Sequence, residues 1–203
     1  MLIIFVIAAY LVGSLSFAVI VSRAFGLPDP HSYGSGNPGA TNVLRTGRKA
    51  AAFLTLLGDG GKGWVAVYAT SVMAPQHGLG TEAVAATAIA VFLGHIYPVF
   101  FRFRGGKGVA TALGVLLAIH LWLGLAALAT WLAVFALSRI SSLAAITAAL
   151  LAPLYEWLMM GSDLRMAAVT AMSVLLLLRH RDNLQRLLSG AEGRMGAASN
   201  TKP

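Results

Sequence analysis

Three short polar segments contain most of the side chains that could do chemistry. The first occupies positions 32–45 and reads SYGSGNPGATNVLR. Its glycines can adopt positive φ, so that backbone N–H groups can converge on an anion. The donors beside these glycines are Ser35, Thr41, Asn42 and Arg45. Such a loop suits phosphate binding, although the same composition is typical of a flexible connection between helices.

The second segment, positions 102–108, reads RFRGGKG and stands directly before an apolar stretch. We predict a helix that begins near Val109. Gly105 and Gly106 would then precede a helix N-terminus, whose N–H groups attract anions, and Lys107 would supply a mobile positive charge. The segment is not a nucleotide P-loop, because positions 101 and 108 hold Phe and Gly where that motif needs Gly and Ser or Thr. The alternative interpretation is a turn with a basic membrane anchor.

The third segment, positions 179–186, reads RHRDNLQR and closes the last apolar stretch. His180 and Asn183 are three residues apart, so they share a face on a helix. His180 is the side chain best suited by type to act as a general base, although a single histidine here is more typical of an interfacial hydrogen bond. The flanking arginines are expected to contact lipid headgroups.

Asp59, Lys62 and His95 are ionisable side chains inside apolar stretches. Asp59 and Lys62 lie in the sequence GDGGKG, which we expect to interrupt the second apolar stretch. They either line the polar site or form an ion pair that holds a kink. His95 is expected to be a buried structural histidine or a support for the site. Nothing in the chain has the spacing of a metal site or a nucleophile elbow, so we expect no metal and no cofactor.

The composition excludes an ordinary soluble protein. Of the 203 residues, 58% are hydrophobic and 11% are charged, against roughly 25% charged residues in a soluble domain. A bilayer-spanning helix needs about 20 apolar residues. We predict an all-α integral membrane protein with one domain over residues 1–203 and a flexible tail over 189–203. The seven predicted transmembrane helices are 1–22 without a break, 50–74, 83–101, 109–119, 121–137, 143–160 and 166–178.

The fourth and fifth predicted spans are separated by one residue, His120, so either a tight turn or one long tilted helix fits there.

The net charge of +8 would suggest nucleic-acid binding in a soluble protein. In a membrane protein, basic residues collect in the cytoplasmic loops and contact anionic headgroups, so we expect no nucleic-acid partner. With seven spans, every Lys and Arg except Lys62 and Arg165 falls on one side. The positive-inside rule therefore predicts the N-terminus outside, the C-terminus in the cytoplasm and all three polar segments on the cytoplasmic side.

Longer motifs carry a family resemblance. The run GSGNPGATN from Gly34, the run FLGHIYP from Phe92 leading into GGKGVAT from Gly105, and HRDNLQR from His180 ahead of Gly190 resemble the acyl-phosphate-dependent glycerol-3-phosphate acyltransferases of bacterial membranes. Their order and spacing match over nearly the whole chain up to Glu192. The resemblance implies transfer of a fatty acyl group from acyl phosphate to the sn-1 hydroxyl of glycerol 3-phosphate, which gives lysophosphatidic acid and phosphate in the first step of phospholipid synthesis.

The resemblance also implies site residues. The glycerol 3-phosphate ligands would be Ser35, Arg45, Lys107, His180 and Asn183, of which His180, Lys107 and Ser35 would be catalytic. The acyl phosphate would lie against Gly36, Asn37, Gly39, Ala40, Thr41 and Asn42. Supporting residues would be Asp59, Lys62, His95, Gly105 and Gly106. From the residues alone, the division of the loops between the two phosphates stays open.

Acyl phosphate already carries a good leaving group, so positioning and charge stabilisation can supply most of the acceleration. Either His180 or a substrate phosphate oxygen takes the proton, and we favour the phosphate.

We expect a monomer in the bacterial inner membrane, with membrane lipids and an upstream acyl-phosphate-forming enzyme as partners. The competing hypothesis is a transporter or exchanger of organic phosphates, because DGGKG at Asp59 and RGGKG at Arg104 echo each other. An acyl-CoA donor is disfavoured, since no His is followed by Asp four residues later.

Overall fold

The computed structural model describes residues 1–195, and all regular structure within them is helical. The helices are α1 Leu2–Gly13, α2 Phe17–Ala24, α3 Ala40–Leu44, α4 Lys49–Met73, α5 Thr81–Ile96, α6 Val109–Ile119, α7 Leu121–Ser138, α8 Ser141–Met160, α9 Leu164–Arg179 and α10 Arg181–Leu188. Short 3-10 turns at Ala74–His77 and Val99–Phe101 follow α4 and α5. The long helix α4 packs against α1, α2, α5 and α6, while α7, α8 and α9 pack in sequence and α9 closes on α5.

The interior is built from small side chains, and many of the large apolar ones face outward. Alanine dominates the buried core, whereas leucine, isoleucine, tryptophan and phenylalanine side chains of α1, α4 and α7 are exposed. This inversion is expected where the surrounding solvent is lipid and helices associate through close packing. By length and composition, three helical segments could cross a membrane: Thr81–Phe101, Leu121–Ser138 and Ser141–Met160. The pair α1 and α2 makes a fourth if its bend lies within one span.

The prediction of an unbroken first span is wrong. The chain bends by 41° between α1 and α2, over residues 14–16. Two interactions stabilise the break: the Ser14 hydroxyl donates to the Tyr10 carbonyl at 2.8 Å, and the Lys62 ammonium donates to the Leu15 carbonyl at 2.7 Å. Carbonyl groups at the end of a helix lack the N–H partner that the next turn would provide. Side chains that donate to these carbonyls take the place of that partner, so the helix can end inside an apolar stretch.

The predicted interruption of the second span is also wrong, because α4 runs continuously through its glycines. These glycines serve close packing instead. A Cβ placed on Gly58 would lie 2.2 Å from the Phe17 ring, and one on Gly63 would lie 2.4 Å from the Thr111 carbonyl oxygen. Only a hydrogen atom fits at either position. The glycine run therefore lets α2 and α6 approach the backbone of α4.

Of the two alternatives at His120, the structure has the tight turn. His120 is extended, with φ −158° and ψ 127°, between α6 and α7. The two helices then pack closely, since a Cβ on Gly124 would lie 2.4 Å from Leu117. Helix α6 has only 11 residues, which gives it a length of about 16 Å.

The segment after α10 folds back on the bundle. The backbone N–H groups of Ala191 and Glu192 donate to the Arg186 carbonyl, and that of Met195 donates to the Arg139 carbonyl. The remainder of the expected tail, residues 196–203, lies outside the described residues. These contacts place the α10 end of the chain beside the start of α8, at the end of the bundle where α6 begins.

Candidate active site

Lys107 lies immediately before α6, which begins at Val109 as predicted. Gly108 takes a left-handed φ of 88°, and a Cβ there would lie 2.2 Å from the Phe92 ring. This tight turn directs the chain into the helix, and the half-buried Lys107 ammonium donates a hydrogen bond to Oδ1 of Asn183. Burial, reinforced by the nearby Arg186, lowers the pKa of Lys107 below its ordinary value of 10.5. A cation held at this position can pair with a phosphate.

Arg179 holds the backbone that carries Lys107. Its guanidinium donates to the carbonyl of Gly105 at 3.0 Å and to that of Gly106 at 3.3 Å, and it lies 5.8 Å from the centre of the Tyr97 ring. With these carbonyls turned toward Arg179, the loop is fixed by its main chain. Sequence reasoning assigned this arginine to lipid headgroups, and its spacing from the loop, more than 70 residues, offers no local signal.

His180 is buried where α9 ends and α10 begins. Its Nδ1 lies 2.9 Å from the Leu176 carbonyl oxygen, which can only accept, so Nδ1 carries the proton. Burial lowers the pKa of His180 to about 4, with a further contribution from the positive charge of Lys107. The imidazole is therefore neutral near pH 7, with Nε2 as a hydrogen-bond acceptor. Asp182 is exposed and lies 3.4 Å from Arg181.

Glu192 orients the amide of Asn183. One carboxylate oxygen accepts from Nδ2 of Asn183 and from the Ser142 hydroxyl, each at 2.6 Å, and the other accepts from Arg186 at 2.6 Å. With Nδ2 engaged in this way, Oδ1 of Asn183 is left to face Lys107. Although burial opposes ionisation, these three hydrogen bonds hold the pKa of Glu192 below its ordinary value.

In the sequence, Glu192 marks only the end of the family resemblance, and no role could be predicted for it. The available signal was its isolation: it is the one carboxylate after Asp182 in a basic stretch. A single, half-buried anion among cations is typical of a residue that organises its neighbours.

Asn42 organises the first glycine segment. Its Oδ1 accepts from the backbone N–H of Ser35 at 3.0 Å and lies 3.3 Å from the Ser35 hydroxyl, while its Nδ2 donates to the carbonyls of Pro30 and Tyr33. Gly34 has φ 60°, and a Cβ there would lie 2.2 Å from Oδ1 of Asn42 and 3.1 Å from Cδ of Arg45. The segment is thus an ordered loop around a buried amide, with Ser35 and Arg45 exposed on it.

The middle of that loop leads into a helix N-terminus. Gly36 has a left-handed φ of 65°, Gly39 caps α3, and α3 begins at Ala40. The N–H of Gly39 donates to the carbonyl of Asn37 at 2.9 Å, and the Thr41 hydroxyl lies 3.4 Å from that of Ser141 at the start of α8. Residues 36–42 therefore form a compact turn.

The two glycine segments touch each other. Nε2 of His31 lies 3.0 Å from the Arg104 carbonyl oxygen, and a Cβ on Gly106 would lie 3.0 Å from the Pro38 carbonyl oxygen. The second segment in turn contacts α10 through Lys107 and Asn183. The structure thus brings the three polar segments of the sequence to one end of the bundle, although they are separated by about 60 to 150 residues in the chain.

Asp59, Lys62 and His95 lie behind this cluster, inside the bundle. The Lys62 ammonium lies 2.8 Å from Oδ1 of Asp59, so these two residues are paired, and the Thr111 hydroxyl donates to the Asp59 carbonyl. The two GGKG runs have different conformations: the one after Asp59 is helical, and the one after Arg104 is a loop. They are not copies of one structural repeat.

Comparison with known proteins places this arrangement in a family. A family model described as glycerol-3-phosphate acyltransferase matches residues 3–190. Proteins named glycerol-3-phosphate acyltransferase from Ralstonia nicotianae and Thiobacillus denitrificans are 59% and 60% identical to this chain over 194 residues, which covers 96% of this chain and 94% and 97% of theirs.

A crystal structure has the same architecture. It is that of PlsY, an integral membrane glycerol 3-phosphate acyltransferase, in its glycerol 3-phosphate form, and it superposes with a TM-score of 0.89 at 38% identity over 96% of each chain. A second PlsY structure, in the lysophosphatidic acid form, gives a TM-score of 0.88 at 37% identity. The chain therefore belongs to the glycerol-3-phosphate acyltransferase family, and it is an integral membrane enzyme of the acyltransferase class.

Proposed function

We propose that this enzyme transfers a fatty acyl group from acyl phosphate to the sn-1 hydroxyl of glycerol 3-phosphate, with lysophosphatidic acid and phosphate as products. The observation that carries the proposal is the contact between Lys107 and Asn183, which joins two of three polar segments at one end of an apolar bundle. Both substrates carry a phosphate, which the cationic end of the bundle can bind. The acyl phosphate also carries a fatty chain, which can stay in the lipid. The glycerol 3-phosphate and lysophosphatidic acid forms of PlsY support this choice.

Glycerol 3-phosphate lies, in this proposal, between the first glycine loop and α10. Its phosphate pairs with Lys107 and Arg45, and the Ser35 hydroxyl donates to it. Asn183 holds Lys107 in place. Because Nε2 of the neutral His180 can only accept, it takes a hydrogen bond from a substrate hydroxyl.

The acyl phosphate lies along the turn formed by residues 36–42. Gly36 and Gly39 shape the turn, because their N–H groups are bonded to the carbonyls of Tyr33 and Asn37. The donors that bind the phosphate in this proposal are the N–H groups of Asn37 and of the first residues of α3, as the start of a helix favours an anion. Ala40 and Thr41 line the same turn. Asn42 contributes by shaping the loop, since its amide is already bonded to Ser35, Pro30 and Tyr33.

The reaction needs no covalent enzyme intermediate. The sn-1 hydroxyl oxygen attacks the acyl carbon, the bond between that carbon and the phosphate oxygen breaks, and the hydroxyl proton passes to an oxygen of the departing phosphate. A phosphate with a second pKa of about 6 is a stronger base at neutral pH than an imidazole with a pKa of about 4. We therefore assign His180 to orientation of the hydroxyl and the proton to the phosphate.

The finer membrane topology is also a proposal. We place seven spans in the bacterial inner membrane, with the N-terminus outside and the polar segments in the cytoplasm. The basic loops meet at one end of the bundle, as the positive-inside rule requires of a cytoplasmic face. The enzyme acts as a monomer, and its donor comes from an upstream enzyme that forms acyl phosphate.

The donor can be tested directly. Purified protein in lipid should form lysophosphatidic acid from glycerol 3-phosphate and palmitoyl phosphate, with one phosphate released per product, and should form none from palmitoyl-CoA. Chromatography of the lipid product and a phosphate assay measure both quantities. Product from palmitoyl-CoA alone would overturn the acyl phosphate assignment, and a folded protein that is inactive with both donors would favour phosphate transport.

The role of His180 predicts a pH profile. Because its pKa is about 4, the imidazole stays neutral from pH 5 to pH 8 and adds no inflection to kcat/KM there. H180N should therefore be slower than the unmodified enzyme, by less than the factor of about 100 expected for a lost general base, and should keep the same profile shape. An inflection that H180N removes would instead make the imidazole the proton acceptor.

The topology can be tested because the chain contains no cysteine. Gln76, exposed in the 3-10 turn after α4, and Gln185, exposed on α10, lie at opposite ends of the bundle. In intact spheroplasts, a membrane-impermeant maleimide should label Q76C, and it should label Q185C only after permeabilisation. The reverse pattern would contradict the proposed orientation, and labelling of both variants in intact cells would contradict the odd number of spans.

A further inference from the structure

His95 supports the loop before Lys107 through both its backbone and its ring. The backbone N–H of Gly106 donates to the His95 carbonyl at 3.2 Å. A Cβ on Gly105 would lie 2.1 Å from that carbonyl oxygen, and a Cβ on Gly106 would lie 2.3 Å from Nε2 of the His95 ring. The two glycines are therefore pressed against His95, and any side chain at either position would displace the loop.

The other face of the same loop is held by Arg179. Its guanidinium binds the carbonyls of Gly105 and Gly106. The two peptide units before Lys107 thus lie between a guanidinium and an imidazole. The position of the Lys107 ammonium depends on both contacts, because a single peptide unit separates Gly106 from Lys107.

The ring of His95 is itself backed by the buried ion pair. Asp59, Lys62 and His95 are only 2%, 5% and 7% exposed. Nδ1 of His95 lies 3.5 Å from Oδ1 of Asp59 and is otherwise without a hydrogen-bond partner among residues 1–195. Lys62 balances the Asp59 charge at 2.8 Å and also binds the Leu15 carbonyl at the break between α1 and α2.

We propose that His95 is a positioning residue for acyl transfer, and that together with the Asp59–Lys62 pair it fixes Gly105–Gly106 and thereby the ammonium of Lys107. This inference rests on the proposed function. The buried pair does not bind phosphate in this proposal. It positions the ring of His95, the ring positions the Gly105–Gly106 loop, and the loop positions the ammonium of Lys107. A displacement of about 1 Å at a binding cation can cost about 100-fold in rate, so such support matters to turnover.

The first test compares two replacements of His95. The amide of Gln reaches the position of Nε2, which abuts Gly106, whereas the shorter Asn reaches only the position of Nδ1. We expect H95N to lower kcat/KM for glycerol 3-phosphate by about 10- to 100-fold and H95Q to retain more of it. H120N is the matched control, because His120 also has a buried, unpartnered Nδ1 among the described residues but lies at the opposite end of α6.

The second test is a double-mutant cycle with K107A. If His95 acts through Lys107, H95N should change kcat/KM much less in the K107A background than in the unmodified enzyme. Radiolabelled glycerol 3-phosphate keeps the slow variants measurable. An equal factor in both backgrounds, or equal activity of H95N and the unmodified enzyme, would overturn the proposal. If the unmodified enzyme had no turnover, the proposed function would fail, and the same cycle in glycerol 3-phosphate affinity, measured by calorimetry, would still decide the role of His95.

Replacement of Asp59 alone would leave Lys62 as a buried, unpaired charge and could prevent folding. The double variant D59N/K62Q removes both charges together and avoids this problem. We expect it to purify as a monodisperse protein whose kcat/KM is reduced like that of H95N, and less reduced when K107A is present. A folded double variant with unchanged kcat/KM would remove the ion pair from the positioning assembly.

Discussion

The approach of the Gly105–Gly106 backbone onto His95 is the contact on which the rest of the site depends. It needs two residues without Cβ, a buried histidine at the end of α5 and a neighbouring arginine to take up the loop carbonyls. Because these contacts are made to the main chain of the loop, they fix its backbone directly. The start of α6 and the place of Lys107 follow from them. The glycines of α4 extend the same principle into the bundle, where they allow α2 and α6 to come close.

The charges of the site follow from its place at the end of an apolar bundle. Burial lowers the pKa of His180 to about 4, so the enzyme presents a neutral imidazole beside the Lys107 side chain. Glu192, with its low pKa, stays ionised and holds Asn183 toward Lys107. This arrangement binds anions and leaves proton acceptance to the substrate phosphate. Acyl phosphate, with its good leaving group, is the kind of donor that such a site can use without a nucleophile of its own.

Several features could be predicted from sequence because their signals are local. The glycine segments, the start of α6 near Val109 and the pairing of Asp59 with Lys62 all follow from spacing over a few residues. The break between α1 and α2 could not be predicted, because it is stabilised by Lys62, which is 47 residues away from Leu15. The continuity of α4 was missed because packing against other helices outweighs the low helix propensity of glycine. Arg179 was missed because the carbonyls that it binds lie more than 70 residues away. Glu192 was missed because one of its partners, Ser142, lies 50 residues away and because its nearer contacts form only when the chain folds back after α10.

The measurement that tests this account most directly is the turnover of K107A beside that of K49A. Lys49, exposed at the start of α4, is a lysine of the same basic end without a place in the site. With palmitoyl phosphate as donor and both variants monodisperse, we expect K107A to lose at least about 100-fold in kcat/KM for glycerol 3-phosphate, a loss typical of a removed charge-stabilising group, and K49A to be unchanged. Near-normal turnover of K107A would contradict the account, because the cation on which the three polar segments converge would then have no part in the reaction.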